Sequence, residues 1–378
     1  MVTATNVSFL TVALYLLDLA IKVVALGLVP EGRRPSSASA WLLLILFLPI
    51  VGLLAFLLIG SPFVDRGRRR RQAAAGEVIS AALTVETDDL LPAPAGSTLN
   101  TLVVLNRRLG WLPSVGGNKA SLFSDYDKAI AAMAREIRTA ERYVHVEFYI
   151  MSWDSTTKDF FEALAEVAAR GVKVRLLFDH IGTSRIPGYR DMINKLNETA
   201  IEWHPMLPIQ PLKGRWRRPD LRNHRKILVV DGRVGFVGSL NMIDASYHNR
   251  KHERGGRKWR ELVMQLDGPV VLSLDIVFAT DWFLETDEQL RDVRPHPFDV
   301  EPGDVLCQVV PSGPGFPDEN NLRLFNSLIY SAQRRLSITS PYFVPDESLL
   351  YAITTAAQRG IDVELFVGEQ GDQFMVHH

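Results

Sequence analysis

The sequence contains a single cysteine, Cys307. One thiol excludes an intrachain disulfide framework and any zinc site built from several cysteines; Cys307 is most simply a core residue. Charge excess is missing as well. Lys and Arg number 42 against 43 Asp and Glu, a net charge of −1. That balance excludes a uniformly basic protein of the kind that coats nucleic acid. Wholesale disorder is excluded too, because 47% of the 378 residues are hydrophobic and only 22% are charged.

Within the first 60 residues charge of either sign is scarce. Residues 7–29 (VSFLTVALYLLDLAIKVVALGLV) carry only Asp18 and Lys22, and residues 41–60 (WLLLILFLPIVGLLAFLLIG) carry none. A bilayer core takes about 20 apolar helical residues, so each run is expected to span one. Asp18 and Lys22 are four positions apart on one helix face, where pairing lowers the cost of placing either in lipid. A cleaved signal peptide is the competing reading of the first run. It is disfavoured because no Lys or Arg precedes the run and no small-x-small site follows it. The connection PEGRRPSSASA holds Arg33 and Arg34, whereas DRGRRRR after the second run holds Arg66 and Arg68 to Arg71. Positive-inside bias therefore predicts a membrane hairpin with the body of the chain in the cytoplasm. The arginine run would also lie against anionic headgroups.

Residues 72–100 are rich in Ala, Thr and Pro and read as a linker. From about residue 101 the pattern is α/β. Helical periodicity at 125–143 precedes a strand-like VHVEFYIM (144–151); a helix at 158–171 closes on Gly171 before a buried strand at 172–180. Residues 188–198 look helical and 201–206 extended. RNHRKILVV (222–230), Asp231-Gly232 and RVGFVGSL (233–240) form a hairpin with a two-residue turn. A strand at 261–269 leads into a helix that ends near 285.

The pattern then restarts. Residues 320–336 resemble 125–143, SITSPYFVPD (337–346) resembles VHVEFYIMSWD, and 349–369 resembles the earlier helix–strand unit. Arg170-Gly171-Val172 matches Arg359-Gly360-Ile361 at an offset of 189. Such an internal repeat predicts two α/β halves built to one plan.

The chemistry sits on the hairpin of the first half. His224, Lys226 and Asp231 are spaced H-x-K-x4-D, and Gly238, Ser239 and Asn241 follow on the returning strand. Positions i and i+2 of a strand share a face, so the His224 imidazole and the Lys226 ammonium are expected to point the same way. That pairing suits a phosphoryl centre. The ammonium holds non-bridging oxygens while the imidazole attacks phosphorus or protonates a leaving alkoxide. Ser239 and Asn241 would add donors to the same phosphate, and Gly238 would permit close backbone approach. Alone, a strand histidine is ordinarily packed and Asp-Gly is an ordinary turn; the whole set at fixed spacing is a different matter.

This motif resembles that of the phospholipase D superfamily. Its context resembles the bacterial cardiolipin synthases: the apolar N-terminus, HVEFYI (145–150), RNHRKI (222–227), Gly-Ser-x-Asn (238–241), Trp259-Arg260 followed by DGP (267–269), and SPYFVPD. The resemblance implies an α/β fold, with a two-span transmembrane hairpin followed by phospholipase D-like α-β-α sandwich domains, the second one incomplete. The corresponding boundaries are 1–71 for the hairpin and its basic flank, 72–118 for a linker and lead-in, 119–290 for the motif-bearing domain and 291–378 for the partial one. It also implies a transphosphatidylation without metal or cofactor in a bacterial cell membrane. One histidine forms a phosphatidyl-histidine from phosphatidylglycerol, another protonates the departing glycerol, and a second phosphatidylglycerol accepts the group to give cardiolipin. His224 would fill one of these roles, with Lys226 holding phosphate and Asp231 supporting the site; which histidine is the nucleophile stays open.

The sequence departs from the two-motif pattern, since no second H-x-K-x4-D occurs and the repeat would place its histidine near 413. Three explanations compete: truncation of a longer chain, a site shared within a homodimer, or a catalytically inactive membrane protein. A hydrolase on the same scaffold, phospholipase D or nuclease, is the nearest alternative activity. Arg218, Arg222 and Arg225 belong to a basic loop (212–225) expected to bind an anionic lipid headgroup; nucleic acid is not expected as a partner. His248 and His252, four apart, lack a third ligand at a plausible spacing and so do not predict a metal site. Glu147, in an apolar strand, either orients a catalytic group or pairs with an arginine.

Overall fold

The computed structural model describes residues 9–31, 35–60, 97–209, 222–294, 296–297, 302–313, 316 and 319–368. The chain forms two compact units, one of residues 1–70 with 208–222, the other of 71–207 with 223–378.

In the N-terminal unit, α1 (Phe9–Leu28) is long and apolar enough to cross a bilayer. Its two charges pair as expected, with Lys22 Nζ 2.8 Å from Asp18 Oδ2. The second apolar run differs from the single helix expected. It forms α2 (Pro35–Phe47) and α3 (Pro49–Ala55), continued by a π-helical turn at Phe56–Gly60. The break falls at Leu48, whose backbone is non-helical at φ −129° and ψ 71°. Pro49 causes it, because its ring disfavours helical backbone in the residue before it. Ala25, Val29, Ile45 and Phe56 form the inner contact of this unit, and Trp41 meets Phe56 edge-on at 5.7 Å. Gly52 permits the close crossing, since a Cβ there would lie 2.8 Å from the Ile45 Cα. Phe9, Tyr15, Leu16, Val23 and Phe47 face outward, an apolar exterior that matches lipid better than water.

The second unit is built on an eight-stranded sheet of order β4-β3-β2-β5-β6-β7-β1-β8. Its strands are β1 (Ser114–Phe123), β2 (Tyr143–Phe148), β3 (Lys173–Asp179), β4 (Glu202–Met206), β5 (Lys226–Val230), β6 (Val234–Gly238), β7 (Val263–Asp267) and β8 (Val305–Gln308). β2, β3 and β4 run parallel, and β5 turns antiparallel to β2 with Phe148 opposite Lys226. α4 (Thr98–Gly110) precedes β1. One face of the sheet carries α5 (Tyr126–Arg138) and α6 (Lys158–Ala169), which bury Ile130, Met133, Ile137, Phe160, Phe161 and Leu164 against Val144, Val146 and Phe148. Two short helices, α7 (His180–Ser184) and α8 (Tyr189–Asn197), follow β3, and α9 (Arg250–Arg254) lies between β6 and β7. α10 (Val270–Thr286) covers the opposite face. The layering is α-β-α, as expected.

Alternation along β2 explains the two faces. Its even-numbered residues are Val, Val and Phe, packed under α5 and α6, while Tyr143, His145 and Glu147 turn toward α10. Within this second layer His145 is sandwiched by Tyr143 and Phe278, each ring at 4.5 Å, and its Nδ1 lies 2.6 Å from Asp275 Oδ1.

The repeat is present in space. α11 (Asn320–Ser331), β9 (Arg335–Ser340), α12 (Glu347–Gln358) and β10 (Asp362–Val367) reproduce α5-β2-α6-β3, with β9 and β10 parallel. The expected boundaries shift, however. The division at 118/119 falls inside β1, and β8, expected in the second half, joins the large sheet by pairing with β1.

Candidate active site

The hairpin expected to carry the chemistry is β5–β6. Its turn holds two left-handed residues, Asp231 at φ 56° and Gly232 at φ 67°, and closes through the Arg233 N–H on the Val230 carbonyl at 2.9 Å. That is the twist-compatible turn that favours Asp-Gly.

His224 lies two residues before β5, exposed, on an extended segment. Its ring stacks on Tyr149 at 3.7 Å between centroids and 18° between planes. Lys226, the first residue of β5, reaches back so that Nζ donates to the His224 carbonyl at 2.6 Å and sits 5.4 Å from the same Tyr149 ring. Imidazole, ammonium and phenol ring thus converge where the start of β5 meets the end of β2, in the middle of the sheet. Burial pushes the Lys226 ammonium down to about 8, against the opposing pull of Glu261 and Glu147. Glu261 is half-buried and shifted upward mainly by burial, with Ser239 and Lys226 opposing. The Ser239 hydroxyl also accepts the Leu262 N–H at 3.0 Å. His224, Lys226, Ser239 and Glu261 therefore belong to one cluster.

Other expected residues lie elsewhere. Asp231 is at the far end of β5, about five residues of strand, or roughly 16 Å, from Lys226. Its carboxylate accepts the backbone N–H groups of Glu141, Arg142 and Tyr143 at 2.8–2.9 Å, so it fixes the entry to β2, away from His224 and Lys226. Gly238 is required by β7, since a Cβ there would stand 2.2 Å from the Leu262 carbonyl oxygen. Asn241, expected on phosphate, is buried as a brace: Oδ1 accepts the Ile150 N–H at 3.0 Å and Nδ2 donates to the Tyr247 hydroxyl at 2.8 Å. Arg225, expected on a lipid headgroup, instead turns inward to Asp281 and to the Ser312 carbonyl at 2.8 Å, because the buried carboxylate attracts it more strongly than solvent. Arg222 groups with the N-terminal unit, and Arg218 lies outside the described residues. Glu147 is fully buried and meets both Asn223 and Asp281.

Tyr149, Asn223, Glu261 and Asp281 escaped the sequence reading. Tyr149 and Asn223 stand inside phrases singled out for Glu147 and His224, and Glu261 directly follows Trp259-Arg260, so proximity to those phrases was the available signal. Asp281 had none. His248 and His252 do not converge: His248 Nε2 lies 2.8 Å from Asp154 Oδ2, and His252 Nδ1 lies 3.2 Å from the Ser246 carbonyl. Among the described residues no three His, Cys, Asp or Glu side chains are grouped around a metal position. The second half reaches this region through Tyr342, whose ring meets Trp259 edge-on at 6.2 Å.

Comparison with known proteins places this geometry. Residues 133–267 match the family model described as cardiolipin synthase, PLD-like domain, and residues 18–61 match one described as phospholipase D-nuclease N-terminal. Cardiolipin synthase A of Pectobacterium carotovorum is 35% identical over 93% of this chain and 73% of its own length. The Pectobacterium atrosepticum protein of the same name is 35% identical over 98% of this chain and 76% of its own. That of Yersinia pseudotuberculosis is 34% identical with the same coverage. Among solved structures, phosphatidylserine synthase of Haemophilus influenzae shares the fold with a TM-score of 0.50 at 14% identity, covering 70% of this chain and 65% of its own. A relative so similar over so much of both chains settles the family: this chain belongs to the cardiolipin synthases of the phospholipase D superfamily.

Proposed function

We propose that the chain transfers a phosphatidyl group from one phosphatidylglycerol to another, giving cardiolipin and glycerol. The observation that carries this reading is the exposed His224 ring stacked on Tyr149 beside the half-buried Lys226 ammonium. The ammonium neutralises the non-bridging phosphate oxygens as charge builds on them. One histidine forms a P–N bond as the P–O bond to glycerol breaks, and the leaving oxygen takes its proton from the other. The second phosphatidylglycerol hydroxyl then returns a proton to that base, and its oxygen displaces the histidine from phosphorus. His224 fills one of the two roles, and the partner histidine comes from outside residues 222–241. A second copy of the chain is one source of it.

The reading extends to the membrane. α1 and the α2–α3 run are taken as two spans, and the Arg66–Arg71 cluster supports a cytoplasmic position for the catalytic body. The substrates are then membrane phospholipids, with no role for nucleic acid. The test is cardiolipin and glycerol formation in phosphatidylglycerol bilayers, with His224→Ala as control. Product lost in the control supports the reading. Phosphatidic acid as the sole product would replace it with a hydrolase, and cardiolipin formation that survives His224→Ala would refute it.

A further inference from the structure

Both neighbours of His224 in the chain are tied to one buried acidic pair. Glu147 on β2 and Asp281 on α10 are 0% and 5% exposed. Asn223 Nδ2 donates to Glu147 Oε1 at 2.6 Å and to Asp281 Oδ2 at 3.0 Å. Arg225 donates to the same Asp281 oxygen, and its backbone N–H donates to Asn223 Oδ1 at 3.0 Å. The segment 223–225 is therefore gripped from beneath while His224 points outward onto Tyr149.

One amide nitrogen, Asn223 Nδ2, bridges the two carboxyl groups and so holds them side by side in the buried layer. Glu147 Oε2 is buried and receives no N–H or hydroxyl donor among the described residues. Ionised carboxylates are acceptors only and repel each other, so two buried carboxyl groups that share one amide donor are best accommodated with a proton on one of them. Of the groups that act on the pair, Arg225 from the loop and Lys226 from β5 are charged, and Asn223 and the Met206 sulfur that it meets are neutral. Burial, reinforced by Asp281, raises the Glu147 carboxyl well above its ordinary range, with Arg225 and Asn223 opposing.

We propose that Glu147 and Asp281 act as a one-proton carboxyl pair that positions the His224 loop. Resting on the transferase reading above, this assigns Glu147 and Asp281 as positioning residues that reach the chemistry only through Asn223 and Arg225. The protonated Glu147 donates to Asp281, and the charge left on the pair holds the Arg225 guanidinium. A neutral side chain of the same shape should replace Glu147; nothing neutral should replace Asp281.

The experiment compares Glu147→Ala, Glu147→Gln and Asp281→Asn in the full-length protein in phosphatidylglycerol bilayers. Glu147→Ala and Asp281→Asn should lower kcat about 100-fold with KM changed less than about 3-fold, and Glu147→Gln should recover to within about 5-fold of the parent. Infrared difference spectra at neutral pH should show the carbonyl band of a protonated carboxylic acid, absent in Glu147→Gln. His224 acylation by diethyl pyrocarbonate, followed by mass spectrometry, should accelerate in Asp281→Asn. Glu147→Gln as damaging as Glu147→Ala, or an acid band unchanged by Glu147→Gln, overturns the proposal. If neither the parent nor any variant forms cardiolipin, the transferase reading fails, and the acid band and the acylation rate still decide the pair.

Discussion

Two stretches of this chain share one backbone plan and bury it very differently. In the first, every residue of β2 is out of solvent; in the second, the equivalent β9 alternates between exposed and half-buried. The positions that face α10 in β2 are Tyr143, His145 and Glu147, and the register of β2 on β3 and of β9 on β10 equates them with Arg335, Ser337 and Thr339. The first set meets Asp275 and Asp281 in a buried layer. Arg335 and Ser337 instead bond the Glu364 carboxylate on the open surface of β10. The difference lies in what lies beside and beneath the strand. β5 pairs with β2 and α10 covers it, whereas β10 is the strand paired with β9 among the described residues. The repeated helix–strand unit is thus a scaffold. Chemistry enters with the β5–β6 hairpin and the polar layer that supports it.

If that division holds, the largest effects should come from the hairpin and should leave stability alone. Lys226→Ala is expected to lower kcat/KM for phosphatidyl transfer about 1000-fold, the scale of losing one oriented donor to a developing oxyanion, with little change in Tm. The wild type supplies a pH signature. Lys226 must be charged to hold phosphate, and burial brings it down to about 8. kcat/KM should therefore be sustained below pH 8 and fall as pH rises through it, since that ratio reports the free enzyme. In Lys226→Arg the alkaline limb should move up by more than a unit, because a guanidinium does not titrate in that range. A limb that stays put would assign it to another group.

The buried polar layer sharpens the comparison through stability. Asp275→Ala strands the Tyr143 hydroxyl and the His145 Nδ1, each held at 2.6 Å in the parent. Unsatisfied buried donors cost about 1–3 kcal/mol each, so a loss near 3 kcal/mol in urea unfolding is expected. Asp231→Ala removes the acceptor of three backbone N–H groups and should cost a similar or slightly smaller amount, with kcat of the folded protein preserved. In the second stretch, Glu364→Ala removes an ion pair held in solvent, and its midpoint should match the parent within error.

The same contrast explains what was legible in the sequence. Periodicity located α5, β2, α6 and β3 and their repeats because each buries a face of fixed period. The H-x-K spacing anticipated that His224 and Lys226 come together on Tyr149, because two residues of a strand or its extension share a side. Periodicity could not show that Arg225 turns inward. Its direction is set by Asp281, 56 residues away in the chain. Asn241 looked like a phosphate donor for the same reason: the groups that engage it, the Ile150 N–H and the Tyr247 hydroxyl, come from other loops. Hydropathy does not show the Pro49 break, because the residues on both sides of it are uniformly apolar.

The smallest effect tests whether the repeat is the same device in both places. Gly171 and Gly360 each end a helix in left-handed backbone, at φ 91° and 82°, and a Cβ on either would meet nothing within 4 Å. The preceding arginines act alike as well. Arg170 donates to the Arg138 and Ala140 carbonyls, and Arg359 to those of Tyr330 and Ala332. With packing removed from the question, Gly→Ala at either position should cost about 1 kcal/mol from the backbone conformation alone. Local hydrogen exchange in β3 and in β10 would read the two costs separately. Equal costs would mean that the turn is a self-contained element, copied intact while everything around it diverged. A much smaller cost at Gly360 would mean that the second helix–strand turn is not held in this geometry by its own sequence. The burial missing around β9 would then be needed to impose it.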